Sequence, residues 1–238
     1  MAAGAALGFG LIKFQFALPF FLVLLLRKKW RFAVGFSTSA SLLALLSFVA
    51  VGREGLLDYG RLLLSIGSNP QNVSYGSGVD MPTINGFVYA LLGNWLTHTE
   101  LVVAVALLSL GLLGWLAFQW QSIEAWSTSY DLMFAAALAA SLLCGAHMFT
   151  HDFSPMILAI LLIVADLAKT RGLQAKLPTL ATRVIVLLFC TPPIYFLFVK
   201  WHCLYLMAPV LLAFIWCAIH RAKFARQTVE LQCVVAES

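Results

Sequence analysis

The sequence has 238 residues, of which 62% are hydrophobic and only 11% are charged. A soluble domain has about 25% charged residues and 45–50% apolar ones, so this chain carries too little charge to cover a water-facing surface. Together with a mean hydropathy of +0.93, this composition excludes a soluble domain and indicates a polytopic membrane protein. The net charge of +5 is therefore interpreted as a guide to the orientation of the chain in the membrane, and it does not indicate a nucleic-acid partner.

Seven apolar stretches are candidate transmembrane helices, because a spanning helix needs about 20 mostly apolar residues. In chain order they cover residues 7–26, 32–52, 101–119, 132–149, 155–168, 184–200 and 203–219. The predicted fold is all-α, an integral membrane bundle of about seven helices. Residues 1–220 are predicted to form one transmembrane domain, and residues 221–238 a cytoplasmic tail.

The first 26 residues allow two interpretations. They are apolar, but a basic cluster follows them, which is the reverse of the order in a secretory signal. The segment is either one retained span or a broken pair. In the second case residues 1–12 rise to the outer face, the chain turns at Lys13 to Gln15, and a short helix containing Pro19 returns. In both cases Lys13 lies in the outer half of the membrane.

The basic residues predict the orientation of the bundle, since cytoplasmic loops are enriched in Lys and Arg. Three clusters hold 11 of the 15 basic residues, and alternating spans place all three clusters on one side. The clusters are Arg27, Lys28, Lys29 and Arg31, then Lys169, Arg171, Lys176 and Arg183, and finally Arg221, Lys223 and Arg226. With that side in the cytoplasm, the N-terminus is outside and the C-terminus inside.

The longest connection, about 53–100, is predicted to be extracytoplasmic. Its first part, EGLLDYGRLLLSI, alternates leucines with Asp58 and Arg61, as expected for an amphipathic helix lying in the membrane interface. A loop rich in Gly, Ser, Asn and Pro follows. The next segment, INGFVYALLGNWL, is apolar but too short to span, which predicts a re-entrant or interfacial helix.

The cysteines and histidines do not predict a metal site. The five cysteines have no C-x-x-C or other metal-ligand spacing, so they are interpreted as packing residues without a disulfide framework. His147 and His151 are four residues apart, which places both on one face of a continuous helix, but a third ligand is not obvious. We therefore expect neither a metal nor a cofactor.

Polar residues from separate stretches gather at the predicted outer face. Ionisable residues inside membranes cost free energy and tend to mark sites or pathways. The residues are Lys13 and Gln15, Thr83 and Asn85, His147, His151 and Asp152, and Lys200, Trp201 and His202. This convergence is the main functional signal in the pattern.

Each of these groups also has a purely structural interpretation. Lys13 is also consistent with a snorkelling side chain, and Asp152 with the start of a helix at Ser154 and Pro155. Lys200, Trp201 and His202 also fit an interfacial anchor. Near the opposite face, Asp166 lies three residues before Lys169, which predicts a local ion pair.

A pocket with Lys and His at headgroup depth suits a phosphate that is attached to a lipid tail. Lysine supplies a compact charge for phosphate, and histidine can bind it or exchange a proton. Transfer of a sugar from such a phosphate needs a carboxylate positioned as a base. The available acids at the outer face are Asp58, Asp80 and Asp152.

Several motifs resemble one family. The stretch LIKFQFALPFFLVLLLRKKWRFAVGF is similar to the K-P-Q-x-A-L…LLL-R-R-R-W-R stretch of the DUF2029 or glycosyltransferase family 87 proteins. These proteins are polyprenyl-phosphate-mannose-dependent mannosyltransferases of the GT-C type. The similarity continues through Val51 to Tyr59, MPTINGFVYALLG at 81–93 and HDFSPMILAILLIVAD at 151–166. Phe14 stands where the family often has proline.

The resemblance implies a membrane enzyme that transfers mannose or a related hexose from a polyprenyl-phosphate donor at the extracytoplasmic face. It implies Lys13, Gln15, Asn85 and His151 as substrate-binding residues, with Lys13 and His151 near the lipid phosphate. Asp152 then orients His151 and is the candidate catalytic residue. The implied location is the bacterial plasma membrane, as a multi-pass protein.

The resemblance also implies that this chain is the C-terminal portion of such an enzyme. The catalytic acid of GT-C enzymes lies in the first extracytoplasmic loop, and the matching segment is expected to precede Met1. An upstream N-terminal half or a partner subunit is then expected. The alternative is a non-catalytic membrane subunit or a binder of lipid-linked sugars, and a small transporter is a further alternative.

Overall fold

The described part of the chain is helical, as a bilayer requires, because apolar segments without water must satisfy their backbone groups internally. The computed structural model describes residues 1–68, 81–121, 123, 127–145, 148, 150–171, 198 and 200–237, with side chains for all of these except 63–68, 150–151, 169–171 and 227–237. Within this part the helices are α1 (Ala2–Phe9), α2 (Phe14–Leu26), α3 (Trp30–Ser68), α4 (Ile84–Leu92), α5 (His98–Trp120), α6 (Thr128–Leu143), α7 (Pro155–Arg171) and α8 (Met207–Glu237). Short 3-10 turns cover Gly10–Lys13, Thr150–Phe153 and Leu204–Leu206.

Four described segments are long and apolar enough to cross a membrane: Ala2–Leu26, Trp30–Leu62, His98–Trp120 and Leu204–Arg226. Two shorter apolar helices, Thr128–Leu143 and Pro155–Ala168, accompany them. The predicted all-α membrane class is therefore confirmed. The predicted span at 184–200 lies outside the described residues except for Phe198 and Lys200, so the count of about seven stays a prediction.

Residues 1–26 form a helical hairpin, although together they have the length of one span. The backbone turns at Lys13, where φ is −117° and ψ is 69°. A Cβ atom built on Gly10 lies 3.7 Å from the Cβ of Ala17 on the returning helix. Met1 lies against Gly35 of α3, close to the turn at Arg27 that joins α2 to α3. Of the two sequence interpretations, the broken pair is therefore the one that the structure shows.

The hairpin changes the predicted topology at the N-terminus. A single crossing would place Met1 and Arg27 at opposite ends of the bundle, but the structure places both at the same end. An outside N-terminus is thus incompatible with a cytoplasmic Arg27 in this structure. Which side of the membrane each end faces stays a prediction.

Glycines let α1 lie directly on α3. Cβ atoms added at Gly4 and Gly35 would collide with the carbonyl oxygens of Phe32 and Met1, respectively, and one added at Gly8 would lie 2.7 Å from the carbonyl oxygen of Phe36. Gly4 and Gly8 have the small-x-x-x-small spacing that allows close backbone approach between membrane helices. The rings of Phe21 on α2 and Phe36 on α3 stack with their centroids 4.0 Å apart. The helix α2 therefore packs against α3 as well.

The helix α3 breaks at Gly52, where the backbone enters the left-handed region with φ +67°. Glycine adopts this region without the steric cost that a Cβ atom imposes. The break coincides with the predicted end of the span at residue 52 and the predicted start of an amphipathic helix. In that second part, Asp58 pairs with Arg61 at 2.9 Å, and both side chains are exposed.

The helix α6 lies at the centre of the core. Ala135, Ala136, Ala137, Ala139 and Ala140 are all 0% exposed, so neighbouring helices approach α6 closely. Phe20 of α2 meets Phe134 edge to face at 5.3 Å. Large apolar side chains on the outer surfaces of α3 and α5 are exposed, as expected for surfaces that face lipid; they include Leu45, Phe48, Val49, Leu107 and Phe118.

The ends of the predicted helices differ from the sequence expectation in two places. The apolar stretch 132–149 stops being helical at Leu143, with Cys144 as its C-cap. The helix α8 runs from Met207 to Glu237, so it continues through residue 221, the predicted boundary between the membrane domain and a tail. The structure shows no break in the backbone helix there.

The bundle has two ends of different chemistry. The Arg27 end contains the α2–α3 turn, the end of α5 and the start of α6, where Ser129 donates to the carbonyl oxygen of Ala222 on α8 at 2.9 Å. The Lys13 end contains the α1–α2 turn, the end of α6 and the start of α7. Arg27 of the first basic cluster and Arg221 of the third both lie at the Arg27 end, in agreement with the predicted grouping.

An ion pair joins α7 to α8 at the Arg27 end. The Nε atom of Arg221 donates to Oδ2 of Asp166 at 2.6 Å, and the Asp166 side chain is only 2% exposed. The sequence predicted a local pair with Lys169, whose side chain lies outside the described residues. The partner of Asp166 that the structure describes comes instead from a helix 55 residues away.

The packing of α1 on α3 predicts the effect of adding one methyl group at the contact. Gly4→Ala should lower the free energy of unfolding by about 1–3 kcal/mol, since the added methyl group overpacks a backbone contact. Unfolding by dodecyl sulfate in mixed micelles, followed by circular dichroism, measures the change. Gly114→Ala is the matched control, because nothing lies within 4 Å of its added Cβ atom. Equal losses for both variants would contradict the proposed contact.

The buried ion pair gives a second prediction. Asp166→Asn should destabilise the bundle by about 3–5 kcal/mol, because it removes the buried carboxylate that compensates the charge of the Arg221 guanidinium. The same micelle titration measures this loss. Asp58→Asn removes a carboxylate from an exposed pair of the same type and should change little. A small effect of Asp166→Asn would mean that the pair is not buried in solution.

Candidate functional site

An ion pair between Lys13 and Asp152 defines the site at the Lys13 end. The Nζ atom of Lys13 donates to Oδ1 of Asp152, across 139 residues of sequence. Lys13 ends the 3-10 turn between α1 and α2, and Asp152 lies in the turn Thr150–Phe153 that leads into α7. Two residues that the sequence assigned to one face are thus brought into direct contact.

The two charges of this pair differ in exposure. The Lys13 side chain is 61% exposed, whereas the Asp152 side chain is only 10% exposed. The carboxylate therefore holds the inner side of the ammonium, while the outer side remains open. A lysine ammonium has three donor hydrogens, so Lys13 can bind an anion while it still contacts Asp152.

The segment before α4 is buried at the site end. Met81, Thr83 and Ile84 are less than 9% exposed, and Thr83 is fully buried. Thr83 caps α4, accepting from the backbone N–H of Gly86 at 3.5 Å. The helix packs against α5 and against the turn Leu204–Leu206. Pro82 and Thr83 thus start a short helix that does not span, as the sequence predicted.

Asn85 is half-buried in the first turn of α4. Its Nδ2 atom lies 3.7 Å from the sulfur of Met81, a contact within its own segment. Gln15 is half-buried in the first turn of α2, two residues after Lys13. The structure therefore places both residues at the Lys13 end, where Lys13 contacts Asp152 directly.

The remaining predicted residues fall into two groups. The side chain of His151 lies outside the described residues, as do His147 and Asp80 entirely, so the predicted contact of Asp152 with His151 stays a prediction. Lys200, Trp201 and His202 are exposed. Asp58 pairs with Arg61 on the surface of α3. Within the described residues, no group of three or more His, Cys, Asp or Glu side chains is placed to hold a metal.

A tyrosine–histidine contact joins α4 to α5. The hydroxyl of Tyr89 lies 2.8 Å from Nδ1 of His98, and burial raises the pKa of the Tyr89 hydroxyl. The N-terminus of α5 carries a capping box between Thr97 and Glu100. The T-x-x-E pattern of Thr97 and Glu100 is the sequence signal for this helix start.

Arg27 has a structural position that the sequence analysis missed. The sequence pattern assigns it to a basic cluster that marks orientation, but it is only 9% exposed. Its guanidinium lies 4.2 Å from the ring centroid of Trp120, and Nη2 donates to the carbonyl oxygen of Ile123 at 3.3 Å. Burial lowers the pKa of Arg27, and Tyr130 opposes this shift. Arg27 thus joins three helices at its end of the bundle.

The fold and the site together define a class of protein. The chain is a multi-pass helical membrane protein with an exposed lysine, paired with a largely shielded aspartate, at one end of its bundle. Over residues 1–151 the sequence matches the profile of glycosyltransferase family 87. Because this match covers more than half of the chain, the protein belongs to that family.

The matched range covers most of the predicted site residues. It includes Lys13, Gln15, Asn85 and His151, whereas Asp152 is the first residue beyond it. Most of the similarity noted at 151–166 therefore lies outside the matched range. The comparisons with curated proteins and with solved structures each give no match.

The contact between Lys13 and Asp152 can be tested by cross-linking. In a cysteine-free background, the pair Lys13→Cys and Asp152→Cys should react with a short bifunctional thiol reagent, because the two side chains touch. Mass spectrometry of the digested protein detects the linked peptides. The matched control pairs Lys13→Cys with Asp131→Cys, which lies in the first turn of α6 at the other end of the bundle. Equal linkage in both proteins would refute the placement.

Proposed function

We propose that this protein transfers mannose or a related hexose from a polyprenyl-phosphate donor at the extracytoplasmic face of the membrane. Membership of glycosyltransferase family 87 supports a membrane glycosyltransferase in general. The observation that carries the finer proposal is the exposed Lys13 ammonium beside the largely shielded Asp152 carboxylate. A cation at membrane depth is the feature that a lipid-bound phosphate needs.

The donor phosphate is proposed to bind the outer side of Lys13. Phosphate accepts charge-assisted hydrogen bonds from lysine, which are stronger than neutral ones. Gln15 and Asn85, which lie at the same end, are proposed to contact the sugar or the phosphate, and His151 is proposed to assist Lys13. Asp152 is proposed to position Lys13, since the ammonium is its described partner.

In the transfer step, the bond between the anomeric carbon and the phosphate oxygen breaks, and a bond from an acceptor hydroxyl oxygen forms. The bonding electrons leave with the lipid phosphate, whose growing negative charge the Lys13 ammonium stabilises. As this charge draws the ammonium outward, Asp152 becomes available to accept the acceptor's proton. Asp152 is therefore retained as the candidate catalytic residue.

This mechanism separates the effects of two substitutions. Lys13→Ala should weaken donor binding about 10- to 100-fold, because it removes a charge-assisted hydrogen bond worth about 1.5–3 kcal/mol. Asp152→Asn should lower the rate of transfer more than donor binding, since the amide cannot accept the proton. Binding is measured with radiolabelled polyprenyl-phosphate-mannose, and transfer by the label that appears in the acceptor fraction of the membranes.

Arg61→Ala is the control for a lost positive charge, since Arg61 is exposed on α3 and outside the proposed site. Transfer is measured with this chain alone and with the upstream sequence of its gene co-expressed. Donor binding without transfer in either case would favour the alternative, a non-catalytic subunit or a binder of lipid-linked sugars. Unchanged donor binding by Lys13→Ala would refute the site assignment.

A further inference from the structure

A second feature of the bundle lies at the Arg27 end, away from the Lys13–Asp152 pair. A cleft of about 800 Å³ is bounded by α1, α2, the start of α3 and the start of α6. Ligand pockets are commonly about 300–1,000 Å³, so the cleft has room for part of a lipid. The cleft runs from the turn at Lys28 to Leu7 and Phe20. Because eight residues of helix separate Phe20 from Lys28, its depth is about 12 Å.

The cleft is apolar in its depth and cationic at its mouth. Leu7, Phe20, Leu24 and Phe134 line the deeper part, whereas Lys28, Lys29 and Arg31 line the opening. These three basic side chains are exposed. No acidic residue is among the described residues that line the cleft. Such a lining complements an amphiphile with an apolar chain and an anionic headgroup.

Two further observations concern the mouth of the cleft. Trp30 and Tyr130 also line it, and such aromatic residues are enriched at the level of lipid headgroups. Lys28 has φ +56°, the left-handed conformation that glycine usually supplies after a helix. A lysine at this strained position keeps a positive charge at the opening, where the backbone alone would favour glycine.

We propose that this cleft binds one anionic phospholipid from the bilayer leaflet at the Arg27 end. An acyl chain lies between α1 and α2, and the phosphate is held by Lys28, Lys29 and Arg31. Basic pockets between membrane helices are suited to anionic headgroups. The bound lipid holds the short helix α1 against the rest of the bundle and so stabilises the hairpin that carries Lys13. This site is separate from the proposed donor site and does not depend on it.

The test measures lipid binding to the purified full chain in neutral detergent. The probes are dioleoylphosphatidylglycerol and dioleoylphosphatidylcholine, which share acyl chains and differ in headgroup charge. Native mass spectrometry counts the lipids bound per chain. We expect one phosphatidylglycerol to bind in clear preference to phosphatidylcholine, and to raise the midpoint of thermal unfolding.

The variant K28Q/K29Q should weaken phosphatidylglycerol binding on the order of 30-fold, as expected for two basic residues near an anionic headgroup. The matched control K223Q/R226Q removes two exposed charges from α8, outside the cleft, and should leave this affinity unchanged. Equal weakening by both variants would show a general charge effect and overturn the proposal.

A second pair of variants tests the apolar part of the cleft and does not alter the charge. Ala6 lines the cleft, so Ala6→Trp should fill it and reduce the binding of both lipids. Ala50→Trp places the same side chain on the exposed surface of α3 and should have no effect. Wild-type binding of both lipids with equal affinity, or unchanged binding by Ala6→Trp, would refute the assigned site.

Discussion

The close packing of α1 on α3 is the constraint on which the position of Lys13 depends. Each arm of the hairpin is about 20 Å long at the usual helical rise, whereas the hydrocarbon core of a bilayer is about 30 Å thick. With Arg27 at one interface, the turn at Lys13 therefore lies about 10 Å short of the other interface. A lone ammonium at that depth is costly, and the Asp152 carboxylate compensates for it.

The charged side chains at the two ends of the bundle differ in exposure. At the Arg27 end, the guanidinium of Arg27 lies under Trp120, and Asp166 pairs with Arg221 between α7 and α8. These charged groups are mostly buried, so they join helices. At the Lys13 end, the Lys13 ammonium is largely exposed while the Asp152 carboxylate is only 10% exposed. An exposed cation that a buried group holds in place is suited to binding, whereas a fully enclosed pair is suited to packing.

The sequence predicted those features of the fold that depend on local residue patterns. The apolar stretches predicted the helices, the alternation around Asp58 and Arg61 predicted a change of helix near Gly52, and the polar residues from Lys13 to Gln15 allowed a turn within residues 1–26. It also placed Lys13 and Asp152 at one face. Their pairing was not predicted, because Asp152 was assigned to His151, its neighbour in sequence. The burial of Arg27 depends on Trp120 and Tyr130 from other helices, which no local pattern contains.

The hairpin also connects the two proposed sites physically. Leu7 and Phe20 belong to the two arms that meet at Lys13, and both line the cleft at the Arg27 end. A lipid chain between these arms would contact the same two helices whose turn presents the ammonium. Gly4 and Gly8 pack α1 closely against α3, so contacts along the side of α1 set its position. The lipid is therefore expected to act on the donor site through the orientation of α1, without contacting the donor itself.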